Sequence, residues 1–346
     1  MGKDTCTVAV DIMGSDGGAS VIVDGIARAL DRFQPEIGNL VIVGDEKIAN
    51  DLISSRPQLR DHAIDIVGST RVIEMNEKPS SALRTKKDSS MYKAIDLLKD
   101  KHVDGVMSCG NTGCLVAGGV LKLRMLPGVH RPALACIIPN FGKYFVLLDV
   151  GANPSTSAKS YIHNAILGSM YYNVAIDGTR KPRVGLLSIG VEDGKGSDVV
   201  CEVHEMLKKI KSDINYCGLI EGFQLFEDCV DVVVCDGFVG NILLKTMEGL
   251  ARTIKGYIKN QFKKNLLRML GAMLSVGVFR SIRRDLTPDR YCGAPLLGLN
   301  GTVVKSHGSS SAEAVAHALL LTFRMAKLNK NNAFGMEIEK FNSLIV

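Results

Sequence analysis

The chain lacks the marks of several large function classes. Its nine cysteines form no C-x-x-C pair, and the closest spacings, Cys109 to Cys114 and Cys229 to Cys235, fit no zinc framework. Neither a structural metal nor disulfides are expected, and the thiols read as small apolar residues of a reducing cytoplasm. No apolar run approaches the length that spans a bilayer; Met269–Phe279 is the longest in its region. The first residues lack the charged-then-apolar pattern of a secretory signal, so a cytoplasmic location is expected. No G-x-G-x-x-G follows a strand, and Gly194-Lys195-Gly196-Ser197 lacks Walker A spacing, so neither a standard dinucleotide site nor a P-loop is expected. Lys195 stays a low-specificity candidate for phosphate or a carrier. The net charge is +6, and the window Lys259–Arg290, with eight basic and two acidic residues, carries a surplus equal to all of it. A general nucleic-acid field is thereby excluded, and a local anionic partner is favoured.

Two stretches share one layout. Val103–Leu121 (VDGVMSCGNTGCLVAGGVL) and Val230–Leu250 (VDVVVCDGFVGNILLKTMEGL) each run from an apolar strand through Gly-x-x-Gly into a helix. Gly110 aligns with Gly237, and Gly113 with Gly240. Such turns leave backbone N–H groups at a helix N-terminus, a natural anion site. Strands alternate with helices along the chain, which predicts a three-layer α/β/α sandwich around one large, mainly parallel sheet. Residues 1–330 read as one catalytic domain with a basic amphipathic helical excursion at about 255–290, and 331–346 as a tail. Ligands of such sheets bind beyond the strands' carboxyl ends. Asp11, Ser108, Asp149, Asp236 and Lys305 fall there, and three acids are expected at one rim.

The strand-Asp-turn segments at Asp11–Gly14 and Asp149–Asn153 suit either a ligand or simple turn closure. Arg84, Lys86 and Lys87 precede a helix that Ser89 or Ser90 can cap, a costly placement for cations unless an anion sits among them. In Tyr291–Ser311 (YCGAPLLGLNGTVVKSHGSSS), glycine turns lead to Lys305, His307 and a serine-rich helix start at Ser309–Ser311, with Ser309 and Ser310 as its phosphate candidates. His307 is the histidine placed to titrate at a site. Cys109 is a weaker, nucleophilic candidate. In the basic window, Phe262, Leu266, Met269, Leu270 and Met273 recur at helical spacing opposite Lys264 and Arg268. That pattern suits an anionic membrane surface or dimer packing.

The segments NGTVVKSHGSSSAEA, CGNTGCLVAGG, CDGFVGNILLKTMEG, LRTKKDSSM and LLDVGAN resemble the bacterial phosphate acyltransferases of phospholipid synthesis, from about Cys6 to Leu328. One departure is Met13-Gly14-Ser15-Asp16-Gly17, where that family shows a Met-Gly-Gly-Asp-His type turn. The resemblance implies an isocitrate/isopropylmalate dehydrogenase-like fold, one large mixed sheet between helix layers with two pseudo-symmetric halves, together with a homodimer and loose membrane association. It implies transfer of a fatty acyl group from acyl carrier protein to inorganic phosphate, without a cofactor. The acyl phosphate then passes to a membrane glycerol-3-phosphate acyltransferase. Under it, His307, Lys305, Asp236 and Asn111 are the catalytic candidates. Asp11, Gly14, Lys86, Lys87, Ser108, Gly110, Thr112, Gly113, Asp149, Asn153, Lys195, Gly237, Gly240, Asn241, Asn300, Gly301, Ser309 and Ser310 are the binding candidates. Backbone N–H groups of either twin turn would hold the oxyanion, with Lys86 and Lys305 on phosphate. His307 would orient phosphate or protonate the thiolate. The acidic carrier would dock around Arg280–Arg284 or Lys86–Lys87.

The rival readings are a coenzyme A-linked phosphate acetyl- or butyryltransferase, a decarboxylating NAD-dependent dehydrogenase, and a non-catalytic membrane scaffold. Asp285 and Asp289 have the i, i+4 spacing that such a dehydrogenase needs, but Pro288 breaks the helix between them.

Overall fold

A computed structural model describes residues 5–286 and 291–345 except 61, 142, 177 and 179; side chains of 283–286 and 344–345 are not included. The first half runs β1 (Thr7–Asp11), α1 (Gly18–Phe33), β2 (Asn39–Gly44), α2 (Glu46–Ser54), α3 (Pro57–Arg60), β3 (Ile64–Gly68), α4 (Pro79–Thr85), α5 (Ser90–Lys99), β4 (Gly105–Ser108) and α6 (Thr112–Leu123). A hairpin of β5 (Ala133–Pro139) and β6 (Tyr144–Leu148) follows, then α7 (Ala158–Ala175), β7 (Val184–Leu187), α8 (Asp198–Lys209), α9 (Lys211–Ile214), β8 (Tyr216–Ile220) and β9 (Val232–Val234). The chain continues through α10 (Gly237–Phe262), α11 (Leu266–Leu274), α12 (Val276–Leu286), β10 (Ala294–Leu297), β11 (Thr302–Lys305), α13 (Ala312–Lys330) and α14 (Ala333–Ile345).

The strands form a single eleven-stranded sheet in the order β3-β2-β1-β4-β11-β10-β5-β6-β9-β7-β8. The predicted three-layer, mainly parallel architecture is observed. Its strands are near-continuous runs of buried Val, Leu and Ile, as expected for a sheet covered on both faces. The pairings β11–β10, β10–β5 and β5–β6 are antiparallel, whereas β1–β4, β4–β11 and β6–β9 are parallel. The two parallel blocks therefore run in opposite directions. This overturns the single acidic rim: Asp11 ends β1 at one end of the sheet, and Asp149 and Asp236 follow β6 and β9 at the other. The three central reversals come from the hairpins β5–β6 and β10–β11 and from the long-range antiparallel pairing of β10 with β5, whose combined effect on direction the local strand-helix pattern does not carry.

Two further expectations change. Residues 333–345 form α14 rather than a loose tail, because Phe334, Ile338 and Phe341 recur on one face and bury in the core beside α7. The basic amphipathic excursion is three helices rather than one. α10 ends at Phe262, Asn265 caps α11 through the Arg268 N–H, and α12 folds back so that Phe279 meets Phe262 edge-on at 5.3 Å. α11 has no buried residue, and Leu267 and Leu274 are 80% and 90% exposed. Arg283 and Arg284, part of the predicted carrier-docking patch, have side chains outside the described set, as has Asp285, while Pro288, Asp289 and Arg290 lie outside the described residues altogether.

Candidate active site

The turns after the strands pack as pairs. The Oγ of Ser108, at the end of β4, donates to Asp11 Oδ2 at 2.6 Å and accepts from the Gly110 N–H at 3.1 Å. A Cβ on Gly14 would stand 2.6 Å from the Gly110 nitrogen. At the opposite end of the sheet, the turn after β6 meets the start of α10. The Gly237 N–H donates to Asn153 O at 2.9 Å, and a Cβ on Gly240 would sit 1.9 Å from Asp149 O. The twin glycines thus serve close approach of one turn to another.

That geometry separates the twin turns chemically. In the second, Gly237 and Gly240 donate to Asn153 and Asp236 carbonyls, and Val239 N donates to Asp236 Oδ1. In the first, Gly110 N is held by Ser108 and Cys114 N by Asn111 Oδ1, but the Thr112 and Gly113 N–H groups have no acceptor among the described residues. Both residues line a cleft of about 1140 Å³. The α6 N-terminus is therefore the tip that can hold an anion.

The cleft lies over β5, between α6 and α10. Val116 and Val120 of α6 wall one side, Leu134 and Ile138 rise from β5, and Asn241, Leu244, Lys245 and Glu248 come from α10. Lys305, Ser306, His307 and Ser310 close one end. Lys305 is 8% exposed, and its Nζ donates to Cys109 O at 3.2 Å and to Ser306 O. No carboxylate lies within ion-pair reach of it among the described residues. Burial lowers its pKa below the usual lysine value. An ion buried without a partner costs several kcal/mol, so this end of the cleft is built to receive an anion.

His307 stands at the cleft mouth. Its Nδ1 accepts from the Ser309 N–H at 3.2 Å and meets Ser309 Oγ at 2.8 Å, which leaves Nε2 to carry the proton. Partial burial, then the charges of Lys305 and Lys245, lower its pKa. The ring is neutral near pH 7 and offers an Nε2–H donor. It is poorly suited to deliver a proton to a thiolate. Ser310 N donates to His307 O at 3.0 Å, and Ser310 Oγ meets Ser306 Oγ at 2.9 Å. The helix start itself is capped by Ser311, the last of the three serines expected to open it.

Several expected residues are placed elsewhere or committed to structure. Asn111 caps α6 through Cys114 N, and its Nδ2 donates to the carbonyls of Glu74, Met75 and Glu77, leaving no group for catalysis. Asp236 caps α10, with Oδ2 accepting from Tyr161 OH at 3.3 Å, outside the cleft lining. Asp149 is fully buried and accepts from Leu134 N, Gly151 N, Ala152 N and both donors of Asn153. Burial raises its pKa, and those donors oppose the rise. Lys86 is paired with Glu77 and donates to Val72 O at 2.6 Å, while Lys87 and Lys195 are exposed outside the cleft. Asn300 and Gly301 turn the β10–β11 hairpin at the far end of β11 from Lys305, roughly 13 Å away along the strand. Cys109 is buried, with its thiol pushed up to about 11 by burial. Such a thiol stays protonated and does not line the cleft.

The cleft also holds residues that sequence reasoning passed over. Lys245 and Glu248 pair at 2.8 Å; they follow Asn241 by four and seven residues, so helical spacing from Asn241 would have found them. Ser306 adjoins Lys305. Arg131 has no local signal, since the antiparallel central strands bring it to the cleft.

A model of the fatty acid synthesis protein family matches residues 6–333. The phosphate acyltransferase of Nitrosococcus oceani is 41% identical over 339 residues, covering 97% of this chain and 98% of that protein. The phosphate acyltransferase of Campylobacter concisus is 39% identical over 335 residues, covering 96% and 98%. Among solved structures, a phosphotransacetylase from Streptococcus pyogenes superposes with a TM-score of 0.60 at 17% identity, covering 93% of this chain and 94% of that one. A branched-chain phosphotransacylase from Enterococcus faecalis gives 0.56 at 15% identity, covering 93% and 99%. These two share the fold. The match along nearly the whole chain, at about 40% identity to curated relatives, shows that the chain belongs to the fatty acid synthesis protein family.

Proposed function

We propose that the chain is a phosphate acyltransferase that moves a fatty acyl group from acyl carrier protein to inorganic phosphate. The observation that carries this reading is Lys305: a buried cation without a carboxylate partner among the described residues, at the end of a cleft and beside the open N–H groups of α6. Lys305 Nζ and the His307 Nε2–H hold phosphate, with Ser306 and Ser310 next to them. A phosphate oxygen attacks the thioester carbonyl carbon and a C–O bond forms. The carbonyl oxygen becomes an oxyanion facing the Thr112 and Gly113 N–H groups. Each such donor is typically worth about 10²–10³ in rate. The C–S bond then breaks, and its electron pair leaves on the carrier's sulfur. The acyl chain lies against Val116 and Val120 of α6. Phosphate is already anionic, so the site supplies position and charge rather than a base.

The arm α10–α12 supports the partner assignments. It leaves Ile254, Tyr257, Leu266, Leu267, Met273 and Leu274 exposed, beside Lys259, Lys263, Lys264 and Arg268. An apolar face flanked by cations suits a second copy of the chain and an anionic bilayer surface. No helix among the described residues is long and apolar enough to cross a membrane, so contact with a membrane glycerol-3-phosphate acyltransferase would be peripheral. The test is incubation with long-chain acyl carrier protein: free carrier thiol should appear only when phosphate is added, with acyl phosphate as co-product. Thiol release without phosphate, or hydride transfer to NAD, would overturn the reading. A stronger rate with acetyl-coenzyme A than with a long-chain carrier would favour the coenzyme A-linked alternative.

A further inference from the structure

At the far end of the cleft from Lys305, Arg131 lines the opening. It is exposed, and its side chain makes no hydrogen bond or ion pair among the described residues. The backbone just after it, by contrast, is clamped. Asn153 Nδ2 donates to the carbonyl of Pro132, and Asp149 Oδ1 accepts from the Leu134 N–H at 3.1 Å. Asn153 in turn holds the start of α10 through Gly237 N. The buried Asp149 network, which touches no reacting group, thus fixes the segment that carries Arg131. Asn241, one turn into α10, also presents a side chain to the cleft that makes no hydrogen bond among the described residues.

Strand register sets the separation. Lys305 pairs with Ala294, and Leu297 pairs with Ala133, so Ala133 stands three residues along the sheet from Lys305, roughly 10 Å at about 3.4 Å each. Arg131 lies two residues further, beyond the last paired residue of β5. Two cationic groups therefore bracket a cleft that holds an amide side chain between them. An extended phosphopantetheine arm has amide groups along it, a sulfur at one end and a phosphate at the other. A guanidinium is suited to hold such a phosphate through two parallel hydrogen bonds.

We propose that Arg131 anchors the phosphate of the acyl donor's phosphopantetheine arm, with Asn241 facing the arm's amides. The proposal rests on the phosphate acyltransferase reading and adds how the donor is gripped. Carrier protein and coenzyme A both bear this phosphopantetheine group, and the experiment separates them.

The measurement is kcat/KM at saturating phosphate for three donors with one acyl chain: acyl carrier protein, acyl-coenzyme A and acyl-pantetheine, which lacks the phosphate. The intact protein should favour the two phosphorylated donors over acyl-pantetheine. In Arg131→Ala that preference should shrink by roughly tenfold to a hundredfold for both, as expected for a charge-assisted hydrogen bond. Arg131→Lys should fall between, and the KM for phosphate should stay unchanged. A loss equal for all three donors, or no loss, would overturn the anchor. A loss confined to the carrier would place Arg131 on the carrier's protein surface and also overturn it. If the intact protein turns over none of the thioesters, the acyltransfer reading falls as well. Turnover insensitive to Arg131 removes the anchor alone.

Discussion

The ammonium of Lys305 and the carboxylate of Asp11 end strands two apart in the sheet, with Ser108 in register between them. The carboxylate accepts from the Ser108 hydroxyl at 2.6 Å, and the ammonium donates to the carbonyls of Cys109 and Ser306. Two opposite charges are buried near one another without forming an ion pair, so the cation stays available to a ligand. Burial raises the pKa of Asp11 and lowers that of Lys305.

Phosphate affinity should follow the protonation of Lys305. Affinity is full at pH values below the folded pKa of the lysine and is lost as pH rises through it. Because that pKa lies below the usual 10.5, the loss should begin earlier than for an ordinary lysine. Calorimetric titration with phosphate across the alkaline range should show this decline in the intact protein. Lys305→Arg, whose guanidinium stays charged, should abolish the decline. A decline identical in both proteins would assign it to another group.

His307 should report the anion directly. In the ligand-free protein it should titrate below 6.5, since burial and two lysines disfavour its charged form. A bound anion favours the charged form, so phosphate should move its titration upward. NMR titration of the ring with and without phosphate measures this, and no phosphate-dependent movement would remove His307 from the anion's surroundings.

The twin turns should respond differently to one added methyl group. Gly240→Ala places Cβ 1.9 Å from Asp149 O, a backbone contact that cannot yield cheaply, and should destabilise the fold by more than about 2 kcal/mol. In Gly113→Ala the nearest foreign atom is Pro79 Cγ at 3.1 Å, and alanine's higher helix propensity offsets the crowding, so stability should change by less than about 1 kcal/mol. Chemical denaturation of the two variants tests the contrast, and equal destabilisation would contradict it.

Asn111 and Asp149 should behave as framework. Asn111→Ala removes a helix cap, worth about 1 kcal/mol, and three further carbonyl contacts. Folded Asn111→Ala should retain near-normal kcat while its melting temperature falls. A large loss of kcat with unchanged melting would return Asn111 to the chemistry.

Sequence reading reached the strand-helix alternation, the single sheet and the Lys305–His307 end of the cleft, because these rest on local periodicity and on residues adjacent in the chain. It does not reach the opposed direction of the two blocks, which depends on the antiparallel pairing of β10 with β5, distant in sequence, as well as on the two hairpins. The same pairings bring Arg131 to the cleft. Asp236, Asn111 and Asp149 share one ambiguity: a polar residue between a strand and a helix looks the same in sequence whether it meets a ligand or caps the turn. The pairing of Lys86 with Glu77 is not legible locally, because Glu77 precedes a short helix, α4, that the sequence pattern does not signal.

The most direct test of the account is steady-state kinetics with phosphate as the varied substrate, at saturating long-chain acyl carrier protein, for the intact protein and for Lys305→Met. The KM for phosphate should rise, with a fall in kcat/KM for phosphate of roughly 10²-fold or more, as for loss of a buried charge from an anion site. Unchanged kinetics for phosphate in a folded Lys305→Met would contradict it.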